Sequence, residues 1–274
     1  METLTLPPTE APPRLSALGM DLLKITKAQR IFTLAVPFIF AAIYFYAAFS
    51  GHWVIALAAV MYLSFVTYGS TSHDLVHRNL GLSHGANDFF LTMTELLGVR
   101  SGHAYRMSHL HHHARFPEED DIEASAARKT LFGALLEGVV FHLRLWIWAL
   151  GRSKGRERRV ILFEGCAALG MVLLSIALCT RTVVPLVYVL LMISGAWITP
   201  LVTSFVVHNT NGKTELEQTR VFRGKMFSLI GLEHLYHLEH HLYPLVPHQN
   251  WPLLAKRLDP YFERQGVKPI NFWF

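Results

Sequence analysis

The sequence predicts an all-α integral membrane protein, with four transmembrane helices paired in two hairpins and a cytoplasmic, histidine-rich helical cap that holds a dinuclear metal site. Three observations carry this reading. Charged residues make up 16% of the chain, against about 25% in ordinary soluble domains. Four stretches are each long and apolar enough to cross a bilayer. The chain also holds 16 histidines, and its histidine clusters fall at or beyond the ends of those stretches.

Residues 1–30 read as a cytoplasmic N-terminal segment. It carries Pro7, Pro8, Pro12 and Pro13, then an amphipathic stretch from Leu15 to Arg30. No cleavable signal is expected, because the first apolar run is too long and starts too late. Residues 31–274 read as one membrane domain. "IFTLAVPFIFAAIYFYAAFS" (31–50) holds no charge, and neither does "WVIALAAVMYLSFVTYGSTS" (53–72), which follows after Gly51 and His52. As a helix each would extend ~30 Å, the thickness of the hydrocarbon layer. "VILFEGCAALGMVLLSIALC" (160–179) and the run at 183–207 form a second hairpin. Four such helices inside a soluble core would need more chain to cover them than this sequence has.

Glu164 lies one turn inside the third span, where a carboxylate is expected to be paired or to reach the polar boundary. Pro200 is expected to kink the fourth span. Cys166 and Cys179 sit thirteen residues apart on one span, too far for a disulfide. The linker "GRSKGRERR" holds Arg152, Lys154, Arg156, Arg158 and Arg159 against Glu157. Short basic loops stay cytoplasmic, which places the N-terminus, the end of the second span and the end of the fourth on that same side. Two further apolar segments, "DFFLTMTELLGV" and "LFGALLEGVVFHLRLWIWAL", read as re-entrant or interfacial helices.

On that topology the histidines gather on one face. "HDLVH" puts His73 and His77 just after the second span. "HLHHH" supplies His109, His112 and His113, with His111 beside them. His208 ends the fourth span, and "HLEHH" supplies His237, His240 and His241. Residues three or four apart share a helix face, so each run offers several imidazoles to one side. Adjacent histidines diverge by about 100° and can serve two different ions. Nine donors exceed the four that close a zinc site, so two metals follow. Imidazole suits zinc, copper, iron and nickel alike. HExxH is absent, since position 74 is Asp74. Asp74, Glu233, Glu239 and the acidic run Glu118 to Asp121 are candidates to hold the outer ring nitrogens, although the run also fits a solvated helix start. His52, His84, His103, His142, His234 and His248 stand outside the patterns and read as interfacial or structural. His111 and His234 border the clusters.

The boxes "HDLVH", "HLHHHARF" and "HLEHHLYPLVPHQNWPLLAKRL" resemble those of the membrane fatty acid desaturase superfamily, which includes acyl-lipid and acyl-CoA desaturases and carotenoid hydroxylases and ketolases. The likeness runs from about residue 35 to 262, with Pro244, Pro247 and Pro252 in the family's pattern. It implies that His73, His77, His109, His112, His113, His237, His240 and His241 bind two iron ions. His208 matches the additional ligand of acyl-CoA desaturases, which carry an asparagine one turn earlier where this chain has Ser204. The chemistry implied is O₂-dependent attack on an unactivated C–H bond of a fatty acyl lipid, or alternatively of a carotenoid ring. It implies a lipid substrate and an external electron donor, a ferredoxin or a cytochrome b5-like carrier. The formal net charge of +5 would steer an acidic donor and equally favours anionic membrane lipids. No nucleic acid partner is expected. A metal transporter would place its ligands at mid-membrane depth, and a membrane zinc hydrolase would need fewer histidines.

Overall fold

The computed structural model describes residues 10–226 and 232–273; Pro7 and Pro8 lie outside them. Among the described residues the regular elements are helices apart from two short strands, β1 (Phe222–Arg223) and β2 (Ile270–Asn271), which pair in parallel. The chain is mostly helical, in line with the all-α expectation, and this pair is a local addition to it. The pair ties the C-terminal end to the loop after the fourth apolar helix, with the Ile270 amide donating to the Val221 carbonyl at 2.8 Å.

The expected amphipathic stretch breaks at Gly19, whose φ is +116°. A short turn over Leu15–Leu18 and a 3₁₀ turn over Met20–Leu23 replace it. Helix α1 (Lys27–Phe49) starts where Thr26 and Gln29 form a reciprocal capping box, which satisfies two orphan backbone donors. A turn at Gly51, φ +79°, leads into α2 (Trp53–His77). Helix α7 (Val184–Phe205) packs on this hairpin through Tyr44, Leu63, Tyr188 and Met192. The Tyr44 hydroxyl donates to the Val184 carbonyl at 2.8 Å.

Helices α3 (His84–Leu97) and α4 (Gly102–Arg115) form a hairpin between those walls. It leaves the histidine end beside His77, reaches the Tyr188 hydroxyl through the Leu97 carbonyl at 2.8 Å, and returns with the second box. Tyr188 lies near the first turn of α7, so the hairpin dips deep into the bundle. At its tip Val99 takes a φ of +57°, and Arg100 and Glu95 form a buried ion pair at 3.0 Å.

Among the described residues five helices, not four, are long and apolar enough to cross a membrane. The fifth is α5 (Leu131–Arg152), which precedes α6 (Gly155–Leu178). Both ends of α5 lie at the histidine end. It starts just after the 3₁₀ turn Glu123–Arg128, and Arg156, one residue into α6, shares a cleft with His77 and His113. Its first half packs on the end of α7 at Gly138, where an added Cβ would fall 1.8 Å from the Trp197 carbonyl oxygen.

Both membrane-length hairpins end in a widened turn. A π turn over Thr67–Thr71 interrupts α2, and another over Leu201–Phe205 closes α7. The irregularity expected at Pro200 is therefore a 3₁₀ turn (Ala196–Ile198) followed by a π turn. The cap is completed by α8 (His237–Leu242) and α9 (Trp251–Arg264). Trp251, Leu254, Leu258 and Tyr261 of α9 pack on Leu22, Leu238 and Val246.

Candidate metal centre

The three boxes and His208 come from four separate elements, and all nine histidines meet in one place. His73 and His77 lie on the last turns of α2, His109, His112 and His113 on α4, His208 just past α7, and His237, His240 and His241 on α8. Because side chains three and four apart share a helix face, each short helix turns its imidazoles inward together. The donor nitrogens fall into two quartets, His73/His77/His109/His240 and His112/His208/His237/His241, each within 4.8 Å. His113 joins the first, with its Nε2 3.2 Å from that of His109 and 2.7 Å from that of His240. Its ring also lies 4.6 Å from that of His241, so His113 stands between the two groups.

In the first group His73 Nε2 is 3.0 Å from His240 Nε2 and 3.2 Å from His109 Nε2. In the second, His237 Nε2 is 3.0 Å from His208 Nε2 and 3.1 Å from His241 Nε2, and His112 and His208 each approach His241 at 3.3 Å. Hydrogen bonds cannot account for all eight of these contacts, since three of the rings direct their N–H elsewhere and the other five can supply at most one each. His109 donates Nδ1–H to Glu123 at 2.8 Å, His112 to Asp121 at 2.6 Å, and His208 to the Ser204 carbonyl at 3.1 Å. A neutral imidazole has one N–H, so these three rings turn a bare lone pair into the cage. Lone pairs facing one another at about 3 Å repel unless a cation lies between them. Imidazole bound at about 2.1 Å sets adjacent donors about 3.0 Å apart at right angles and about 3.4 Å apart at tetrahedral angles. His77 Nε2 is buried with no protein partner, as a donor awaiting a metal would be. The donor set fits two metal ions.

Burial and neighbouring imidazoles hold His113, His208, His237, His240 and His241 well below the usual histidine range. They are neutral at physiological pH, as ligands must be. At His112 the influences oppose one another: burial disfavours the charge, and the Asp121 carboxylate raises the pKa above the ordinary value. Burial likewise opposes the charge on Asp121, yet the His112 bond and the amides of Glu123 and Ala124 keep its pKa lowered.

Of the acidic candidates, only Asp121 touches a box histidine. Glu118, Glu119 and Asp120 are exposed. Asp74 does not hold a box histidine; it accepts from the His248 backbone N–H at 3.0 Å and the His248 ring at 2.7 Å, locking the first box to the chain after the third. Glu239, fully buried, pairs with Arg223 at 2.6 Å, and Glu233 accepts from the Ser70 hydroxyl at 3.2 Å. Ser204 acts through its carbonyl on His208, while its hydroxyl oxygen accepts from the Ala127 amide at 3.2 Å. The residue that sequence reasoning missed is Glu123, two positions past the acidic run. Among the remaining histidines, His103 is held by Glu164 at 2.8 Å, which settles Glu164 as a paired carboxylate. His111 packs on Trp148.

An apolar slot of about 370 Å³ runs between α2 and α7, lined by Leu57, Met61, Phe65, Leu191, Ile198 and Val202 among others. At its inner end Tyr68, Gly69, Thr203 and His234 also line a small void against His73, His109, His237 and His240. On the other side of the first group, His77 and His113 form part of the wall of an open cleft lined by both charged and apolar side chains.

Apolar helices that end in a cage of histidines define the class, a helical membrane protein built around a candidate metal centre. The family is equally plain. The family model described as fatty acid desaturase matches residues 51–273, and the chain belongs to that family. No curated protein matches it in sequence. Membership makes the chain an oxidoreductase of the desaturase and hydroxylase type.

Proposed function

We propose that the chain is an O₂-dependent di-iron oxidoreductase that desaturates or hydroxylates an unactivated C–H bond of a fatty acyl lipid. The observation that carries this reading is the convergence of nine imidazoles in two groups, with four of the rings (His73, His109, His237 and His240) lining the void at the inner end of an apolar slot. Two irons held by His73, His77, His109, His113 and His240 on one side and by His112, His208, His237 and His241 on the other would supply the oxidising chemistry. Desaturation then balances as R–CH₂–CH₂–R′ + O₂ + 2e⁻ + 2H⁺ → R–CH=CH–R′ + 2H₂O. Hydroxylation uses the same inputs and leaves one oxygen on the carbon.

The chain's own residues do the positioning. Glu123, Asp121 and the Ser204 carbonyl fix three rings in the tautomer that presents Nε2 inward, and such outer partners also raise ligand basicity. Leu57, Met61, Phe65 and Val202 would take the hydrocarbon, and Gly69 with His234 frames the neck through which one carbon reaches the histidines. Trp251 packs on His73 and His240 at 5.1 and 5.4 Å between ring centroids and helps keep water from the first group.

We place the cage at the cytoplasmic face, because the basic linker at the start of α6 lies at the histidine end. In that frame α1, α2, α6 and α7 cross the bilayer, while α5, with both ends on the histidine side, lies against it. Ligands at the ends of spans speak against a transporter that would bind its cargo at mid-membrane. The test is expression in two hosts, one free of carotenoids and one accumulating β-carotene, followed by mass spectrometry of extracted lipids. New double bonds or hydroxyls in acyl chains support the proposal; oxygenated pigment with unchanged acyl chains refutes the acyl assignment. Metal analysis should find two irons per chain, and a single zinc would replace the oxidative reading with a hydrolytic one.

A further inference from the structure

The balance above needs two electrons that neither the slot nor the substrate supplies, and the first histidine group has two faces. One face meets the inner end of the slot, where His73, His109 and His240 line the void. The other meets the open cleft of mixed lining, whose wall includes His77 and His113 together with Arg78, Asp88, Arg156, Leu110 and Leu245. Of the nine ring donors, His77, His113 and His241 are only partly buried, and the other six are buried. Two of the three least covered donors therefore belong to this cleft.

The rim has the composition of a docking surface for an acidic protein. Leu110 is 46% exposed and Leu245 61% exposed, giving the apolar contact that small interfaces use at their centre. Arg78 and Arg156 are exposed at the mouth; Asp88, Arg106 and Glu157 line the same cleft, with Asp88 2.7 Å from Arg106 and 3.5 Å from Arg78. Arg152, Lys154, Arg158 and Arg159 of the linker are exposed as well, so cations outnumber acids across cleft and linker. Sidedness alone accounts for a basic linker. It does not account for the position of Arg78 and Arg156 around the opening that exposes two candidate metal ligands. Nor does the cleft need to admit substrate, since the slot reaches other members of the same histidine group, His73, His109 and His240, from the opposite side.

We infer that the cleft mouth bounded by Arg78, Arg156, Leu110 and Leu245 is the docking site of a small acidic one-electron carrier, with His77 and His113 as the entry point for its electrons. The inference rests on the oxidative reading of the site. Each carrier molecule docks, gives up one electron and leaves oxidised, and two such visits complete the stoichiometry.

The experiment measures binding, independently of turnover. Full-length protein in zwitterionic nanodiscs is titrated with a soluble cytochrome b5 domain and with a [2Fe–2S] ferredoxin, at about 0.05 M and about 0.5 M salt, where screening lengths differ severalfold. At low salt the wild type is expected to bind at least one carrier, and R78E/R156E to bind it about tenfold more weakly. R156E alone, in the exposed first turn of α6, guards against misfolding and should show a smaller loss of the same sign. Arg181→Glu, in the turn at the far end of the α6–α7 hairpin, should leave affinity unchanged. The differences should collapse at high salt. Absence of binding by the wild type, or equal affinity in R78E/R156E, would overturn the inference. Carrier binding with the expected charge dependence in a protein that holds no iron would leave the docking site standing and overturn the di-iron reading instead.

Discussion

Replacing Glu123 isolates what the outer partners contribute to the cage. Its carboxylate accepts the His109 Nδ1–H at 2.8 Å and lies 3.5 Å from the Ser108 hydroxyl. Glu123→Gln keeps an oxygen acceptor in place and removes the charge. A hydrogen bond to a charged group contributes about 1.5–3 kcal/mol net and a neutral one about 0.5–1.5 kcal/mol, so the loss is about 1–1.5 kcal/mol. At about 1.4 kcal/mol per decade, metal should bind about five- to tenfold more weakly. Glu123→Ala removes the bond altogether, leaves Nδ1–H unpaired and frees the ring to adopt the wrong tautomer, for a loss of up to about a hundredfold. The assay is anaerobic competition for Fe(II) between purified protein and a chromophoric chelator. Glu118→Gln, on an exposed side chain of the same acidic segment, is the control and should bind as the wild type does. The reasoning fails if Gln and Ala variants both match the wild type, or if Gln is the weaker of the two.

Other expectations follow from neighbouring geometry. His240→Ala removes a donor from the centre of the first group and should abolish turnover and lower bound metal while membrane insertion stays intact; His84→Ala, on an exposed ring, should be tolerated in both respects. Gly69→Val pushes methyl groups towards His234, whose Cβ already lies 3.5 Å from where a Cβ at Gly69 would sit. Overpacking of about 1–3 kcal/mol at the slot neck should cut turnover of long-chain substrate about tenfold or more with metal content unchanged, and unaltered turnover would remove the neck from the substrate path. Glu164→Ala strips the acceptor from the Ser101 hydroxyl at 2.6 Å, the Thr92 hydroxyl at 2.5 Å, and the backbone and ring of His103 at 3.0 and 2.8 Å. Each orphaned buried group costs about 1–3 kcal/mol, so thermal unfolding in detergent should shift down by several degrees, and a shift near zero would contradict the buried network.

The histidines were legible because their spacing matches the helix repeat, and the apolar runs placed every cluster at the same end. Local pattern says nothing about contacts made by tertiary folding. Glu123 lies fourteen positions beyond His109 on a 3₁₀ turn, and no periodicity links the two. Asp74 sits inside the first box yet serves His248, a pairing across 174 positions. The stretch from Leu15 looked amphipathic, but Gly19 breaks it. Helix α5 was readable as apolar; only the placement of its two ends, beside Glu123 and beside Arg156, distinguishes a helix lying along the bundle from one running through it. The π turns left no signature in composition at all.

Those widened turns have an evolutionary corollary. A π turn holds one residue more than the α-helix around it needs, so losing a single residue anywhere in Thr67–Thr71 or Leu201–Phe205 would restore a regular helix without breaking the chain. Everything beyond the repair would keep its bearing, because the bulge is what absorbs the extra residue. Straightening the turn with that residue retained would instead rotate the rest by about 100°, swinging His73 and His77, or His208, out of register with the other donors. A further insertion there should therefore be more damaging than the loss of one residue.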